Sequence, residues 1–123
     1  MLKNFVKVFV LTVLFVTAVQ SQTSAEEWID CAFVNNSGKT ITELYFVASS
    51  ENDLGQNLLP DSMPTGYEFT ARYISGFEYD VMIVFSDGNY ISYSDQYLSG
   101  ETQFLIEYDS DYGQIRIKNF GQD

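Results

Sequence analysis

Asp109 and Asp111, separated by one residue and followed by Gly113, place two carboxylates on a single turn. Hard oxygen ligands on flexible turns are what a calcium ion takes, so this pair is a candidate Ca²⁺ site. Glu51-Asn52-Asp53 with Asp61 offers the same chemistry. Neither cluster completes the twelve-residue loop of an EF-hand, and Asp with Gly is also what a hairpin turn uses for backbone reasons alone. A second kind of chemistry lies in the aromatic residues. Tyr90 is out of phase with Ile91 and Tyr93, while Tyr97 and Tyr112 fall at strand ends or turns, near Asn89, Asp95 and Gln96. Rings beside amides and carboxylates can hold a sugar or a peptide, so Tyr90, Tyr97 and Tyr112 are candidate ligand-binding residues, although scattered exposed aromatics are also ordinary.

Catalysis is poorly supplied. The chain contains no histidine, which removes the commonest general base, and with it Ser-His-Asp triads and the usual zinc sites. A carboxylate pair could hydrolyse a glycoside, since that reaction needs only an acid and a nucleophile or base a few ångströms apart. A domain this small rarely builds the deep cleft that desolvates one member of such a pair, so no catalytic residue is assigned. Cys31 is the single cysteine, which excludes an internal disulfide, and its place in an alternating apolar stretch marks it as a buried thiol.

The elements that must position these residues begin after an export signal. Lys3 and Lys7 precede a mostly apolar run, Val8 to Val19, then small and polar residues. That is the layout of a secretory signal peptide, and the run falls short of the ~20 residues a membrane-crossing helix needs. Thr23-Ser24-Ala25 supplies the small residues that cleavage prefers, with Val19-Gln20-Ser21 as the alternative. The chain therefore divides into a signal segment, residues 1–25, and one domain, residues 26–123, secreted or periplasmic and free of any membrane anchor once the signal is cleaved. Cleavage removes Lys3 and Lys7 and leaves Lys39, Arg72, Arg116 and Lys118 against all seventeen acidic residues. Such a surface repels phosphate backbones and anionic lipids, which excludes nucleic acid as a partner and leaves cations, basic surfaces and glycans open.

Within the domain the apolar period is two. Ile29, Cys31 and Phe33 share one face of a strand near Trp28 to Asn35, and Asn35-Asn36-Ser37-Gly38 has turn chemistry. In the next strand, Thr40 to Ala48, the step from Ile41 to Leu44 and Phe46 breaks the alternation and predicts a β-bulge around Thr42 and Glu43. Tyr67, Phe69, Ala71 and Tyr73 alternate with Glu68, Thr70 and Arg72, a strand with one wet face. Tyr79 to Phe85 is nearly all apolar and belongs at the centre of a sheet, and Asp87-Gly88 turns it toward Tyr90 to Tyr97. Phe104, Ile106 and Tyr108 mark another strand. The turn 109–113 leads to a last strand with Ile115 and Ile117 inward, Arg116 and Lys118 outward. About seven short strands in a chain of this length predict an all-β fold, an antiparallel β-sandwich of immunoglobulin-like architecture. Ser49 to Gly66 lacks any strand pattern, and is read as either a functional loop or the crossover a sandwich requires, with Leu58 and Leu59 pinning it to the core edge.

Val34-x-Asn36-x-Gly38, Ile41-x-x-Leu44-Tyr45, Ser49-Ser50, Asp53-x-Gly55-x-Asn57-Leu58-Leu59, Gly66, Tyr79-Asp80-Val81 and Asp87-Gly88 follow one another between Phe33 and Ile106. In this series the chain resembles a family of small, exported, largely uncharacterised bacterial β-sandwich domains. Leu54 stands where that resemblance would place an aromatic residue. The likeness implies an exported sandwich and no catalytic residue. The expected function is a non-catalytic binding or interaction module for an unknown protein or glycan partner. The main alternative is a calcium-stabilised or carbohydrate-binding domain, and a small carboxylate-based hydrolase is the least favoured.

Overall fold

A computed structural model describes residues 27–120. The signal segment 1–25 lies outside the described residues. The rest forms seven strands: β1 (Trp28–Asn36), β2 (Ile41–Ala48), β3 (Glu68–Ile74), β4 (Phe77–Phe85), β5 (Tyr90–Leu98), β6 (Thr102–Asp109) and β7 (Gln114–Phe120). Two sheets share them, a four-stranded one in the order β3-β1-β6-β7 and a three-stranded one in the order β2-β4-β5. The two-residue period explains the packing between them, since alternate side chains from each sheet meet in one layer. Cys31, Phe33, Tyr73, Phe104, Ile106 and Ile117 bury from one sheet, and Ile41, Leu44, Tyr79, Val81, Ile83, Phe85 and Leu98 from the other.

Aromatic rings bridge the layer. Phe33 stacks on Phe104 at 5.2 Å, and Phe46 meets Phe33 edge-on at 5.3 Å and Tyr79 at 5.1 Å. Each fully buried side chain of this kind is worth roughly 1.5–3 kcal/mol in transfer alone. The Tyr79 hydroxyl donates to the Ile74 carbonyl at 2.7 Å, and the Tyr73 hydroxyl donates to the Gly100 carbonyl, so both buried phenols are satisfied. Burial pushes the Tyr73 phenol up to about 12 and the Cys31 thiol well above its ordinary value.

The strand alternation, the central place of β4 and the bulge all appear where the pattern puts them: the β2–β4 register shifts between Ile41 and Glu43. One pairing departs from an all-antiparallel sandwich. β1 and β6 run parallel, Cys31 beside Thr102 and Asn36 beside Glu107. The cause is the long segment after β2. β2 ends beside the start of β4, yet β3 begins at the opposite end of the fold, level with Val34. Residues 49–67 therefore make one extra pass along the sandwich, which reverses the direction of each later strand and aligns β6 with β1. An immunoglobulin domain also divides its strands four and three, but it places β1 beside β2, whereas here β1 lies between β3 and β6.

That extra pass is tightly fixed. Leu58 N–H donates to the Leu44 carbonyl at 2.8 Å, and Ile41 and Met63 exchange backbone bonds at 2.9 and 2.8 Å. Asn57 Oδ1 accepts from the N–H groups of Leu44 and Leu59 at 2.9 and 3.0 Å. The segment thus covers the free edge of β2, the device by which a sheet avoids pairing with strangers. Leu59 is buried as expected, but its second anchor is Met63, and Leu58 stays exposed. Asn35 ties the arrangement to β1 from a fully buried position. Its Nδ2 donates to the carbonyls of Lys39 and Met63, and its Oδ1 accepts from Ser37 N–H and Oγ–H.

Candidate functional site

Strand directions set the two ends of the sandwich. The Asn36 end carries the turns 37–40, 86–89 and 110–113; the Trp28 end carries Ser49–Ser50, Ser75–Gly76 and residues 99–101. Tyr90 and Tyr112 lie at the first end and Tyr97 at the second, so the fold does not gather the three tyrosines into one surface. Tyr112 already has a partner in the Arg116 guanidinium, 3.9 Å from its ring centroid.

Asp109 and Asp111 build a turn. Asp109 Oδ1 accepts from the Asp111 N–H at 3.0 Å, and its backbone carbonyl accepts from Tyr112 and Gly113 at 3.1 and 2.8 Å. Asp109 Oδ2 sits 3.7 Å from Arg116 Nη1 and 4.0 Å from Lys118 Nζ. A calcium ion here would have to compete with two cations for one carboxylate. Asp53 likewise turns back to accept from Gly55 N–H at 2.9 Å. Among the described residues, no three or more Asp, Glu or Cys side chains come together as a metal site.

A groove does form around Tyr97. It holds about 540 Å³ at the Trp28 end of the three-stranded sheet, between the Ser49–Ser50 loop on one side and the Gly76 turn and β5 on the other. Tyr97, 58% exposed, supplies its ring; Phe77 borders it but shares the inward phase of its partner Leu98, and Ser49, Ser50, Glu78 and Asp95 supply hydroxyls and carboxylates. Gly76 adopts φ 99°, which lets β3 turn into β4 and leaves room beside the Tyr97 hydroxyl.

Asp80 organises this site. One of its oxygens, Oδ1, accepts from Ser49 Oγ–H at 2.7 Å and from Asp95 N–H at 2.9 Å, pinning both flanks of the groove to β4. The Asp95 contact accompanies a second bulge: Tyr79 pairs with Gln96 but Val81 with Tyr93, leaving Ser94 and Asp95 opposite Asp80 alone. Asp95 there takes φ 58°, a left-handed conformation that costs about 1 kcal/mol for a non-glycine residue. The bulge restores the phase, so that Leu98 buries and Tyr97 faces out. Asp80, Phe77 and Ser49–Ser50 escape a reading by residue type. The available signal for Asp80 is its position, a lone carboxylate inside the otherwise apolar run from Tyr79 to Phe85.

The fold and groove define a seven-stranded, two-sheet β-sandwich with an aromatic and acidic cleft at one end. The chain matches no protein-family model and no curated protein. It is similar in structure to a chain described as "NMR structure of the protein from Eubacterium rectale", with a TM-score of 0.58 and 9% sequence identity, over 84% of this chain and 98% of that one. At that identity the likeness is one of fold.

Proposed function

We propose that this protein is an exported binding module without catalytic machinery, secreted or periplasmic, whose ligand seats in the groove between Tyr97 and the Ser49–Ser50 loop. The observation that carries the reading is the groove's composition: the exposed ring of Tyr97 lies among Ser49, Ser50, Glu78 and Asp95. An aromatic face packs the apolar C–H face of a sugar, and carboxylates and hydroxyls accept and donate to its OH groups. A short neutral oligosaccharide fits that set. Export rests on the Lys3–Lys7 and Val8–Val19 signal pattern, and the absence of a catalytic role on a chain with no histidine and a groove open to water.

The test is titration of the isotope-labelled protein with a panel of neutral oligosaccharides at millimolar concentrations, followed by amide NMR. Saturable shifts confined to Ser49, Ser50, Phe77, Glu78 and Tyr97, and lost in Tyr97→Ala, are the expected result. Shifts that persist in Tyr97→Ala, or none with any sugar, sink the carbohydrate reading.

A further inference from the structure

The outer faces of the two sheets handle charge differently. On the four-stranded sheet the cations are matched: Arg72 with Asp30, Arg116 with Asp109, and Lys118 with Glu107 at 2.9 Å. On the three-stranded sheet, Tyr45 lies opposite Met82, Val47 opposite Asp80, and Val84 between Glu43 and Tyr90. These outward positions form a lane of Tyr45, Val47, Met82, Val84 and Tyr90, partly or fully exposed although mostly apolar. Glu43, Glu78, Asp80 and Asp95 lie along it, and among the described residues none of the four is ion-paired with a Lys or Arg. Glu43 instead accepts the Tyr45 hydroxyl.

We infer that this face docks a cationic, amphipathic polypeptide segment, one that sets apolar side chains on the Tyr45–Met82–Val84–Tyr90 lane and Lys or Arg side chains against Glu43, Asp80 and Asp95. Charge selects this occupant. An apolar lane alone would suit a second copy of the chain, but two such faces would bring their unmatched carboxylates together, and like charges across an interface cost affinity. A basic segment supplies what the face lacks, and apolar burial supplies the hold. The Asp80–Asp95 end of the lane adjoins the groove, whereas Val84 and Tyr90 lie at the opposite end of the sheet and report on this surface alone.

The probe is a synthetic peptide alternating leucine and lysine, with a leucine–glutamate peptide as control, titrated into the labelled protein. Expected is saturable binding of the basic peptide alone, with shifts at Tyr45, Val47, Met82, Val84 and Tyr90. Val84→Lys, an outward substitution, should weaken it roughly tenfold or more, and Glu43→Gln by a smaller factor, with unfolding curves checking that both variants fold. Equal binding of the acidic peptide, shifts spread over Asp61, Glu68 and Glu101, or unchanged affinity in a folded Val84→Lys would each overturn the inference. So would a dimer by sedimentation that Val84→Lys dissociates, which would make a second copy the occupant.

Discussion

The two edges of the three-stranded sheet are treated in opposite ways. At β2 the chain returns to cover the edge, with Asn57 and Met63 taking backbone partners along it. At β5, among the described residues, no strand pairs with the edge, although β7 of the other sheet comes near it, and the strand is interrupted by the Asp95 bulge. The core reflects this. Leu59 and Met63 close the β2 side, whereas Ile91 and Tyr93 on β5 and Ile115 on β7 remain half-buried. One edge is protected by saturation of its hydrogen bonds and the other by irregularity, two of the general answers to an exposed strand. A saturated edge adds stability; a bulged edge spends some of it on shape.

Experiments can break or sharpen that contrast. The largest effect should erase it, because Cys31 and Tyr73 belong to the layer both sides share. Both groups are held protonated by burial, so the folded state keeps protons that the unfolded chain releases near pH 9 to 10. Stability is fully present below that range and falls as pH rises toward about 12. Circular dichroism through an alkaline titration should show both sides unfolding in one transition; separate transitions would mean that the sides are independent. Asn35→Ala comes next, at about 3 kcal/mol by denaturant unfolding, because it takes the acceptor from the buried Ser37 N–H and removes one bond each from the Ser37 hydroxyl and the carbonyls of Lys39 and Met63. A loss below about 1 kcal/mol would show that water replaces the side chain freely.

Asn57→Ala should cost about 2 kcal/mol and speed hydrogen exchange at Leu44, its main-chain partner, more than at the amides of β5. Equal acceleration on both edges would refute a local seal. Asp95→Gly should raise stability by about 1 kcal/mol, since glycine takes φ 58° without strain. A loss instead would mean that the Asp95 side chain contributes more than its backbone costs. Sugar titration of the same variant would then separate strain kept for the groove from strain kept for the edge.

Local features were legible in the residues, and non-local ones were not. The bulge at Thr42–Glu43 could be read because a break in alternation is written within five residues. The division into seven strands followed from the same short-range period. The parallel β1–β6 pair was hidden because it depends on residues 49–67 running the length of the sandwich, and nothing in Pro60, Pro64 or the Asn and Asp residues there specifies a direction. Asn35 looked like turn chemistry since only the fold reveals that its side chain points inward to Met63. For the site, Tyr97 was identifiable as an outward ring, but Phe77, Ser49 and Asp80 join it through three different segments. Tyr90 and Tyr112 share that residue type, but the fold places them at the other end of the sandwich.

The pairing of residue 31 with residue 102 also orders events in time. β1 is made first and flanked last. Its β3 neighbour arrives after the long pass, and its β6 neighbour only when most of the chain exists. Contacts that close so large a loop form slowly, because the entropy of bringing distant segments together is lost before the packing is gained. A chain emerging from its N-terminus therefore stays without its four-stranded sheet until residues 102–120 are free. The crossover that seals β2 doubles as a timer on collapse.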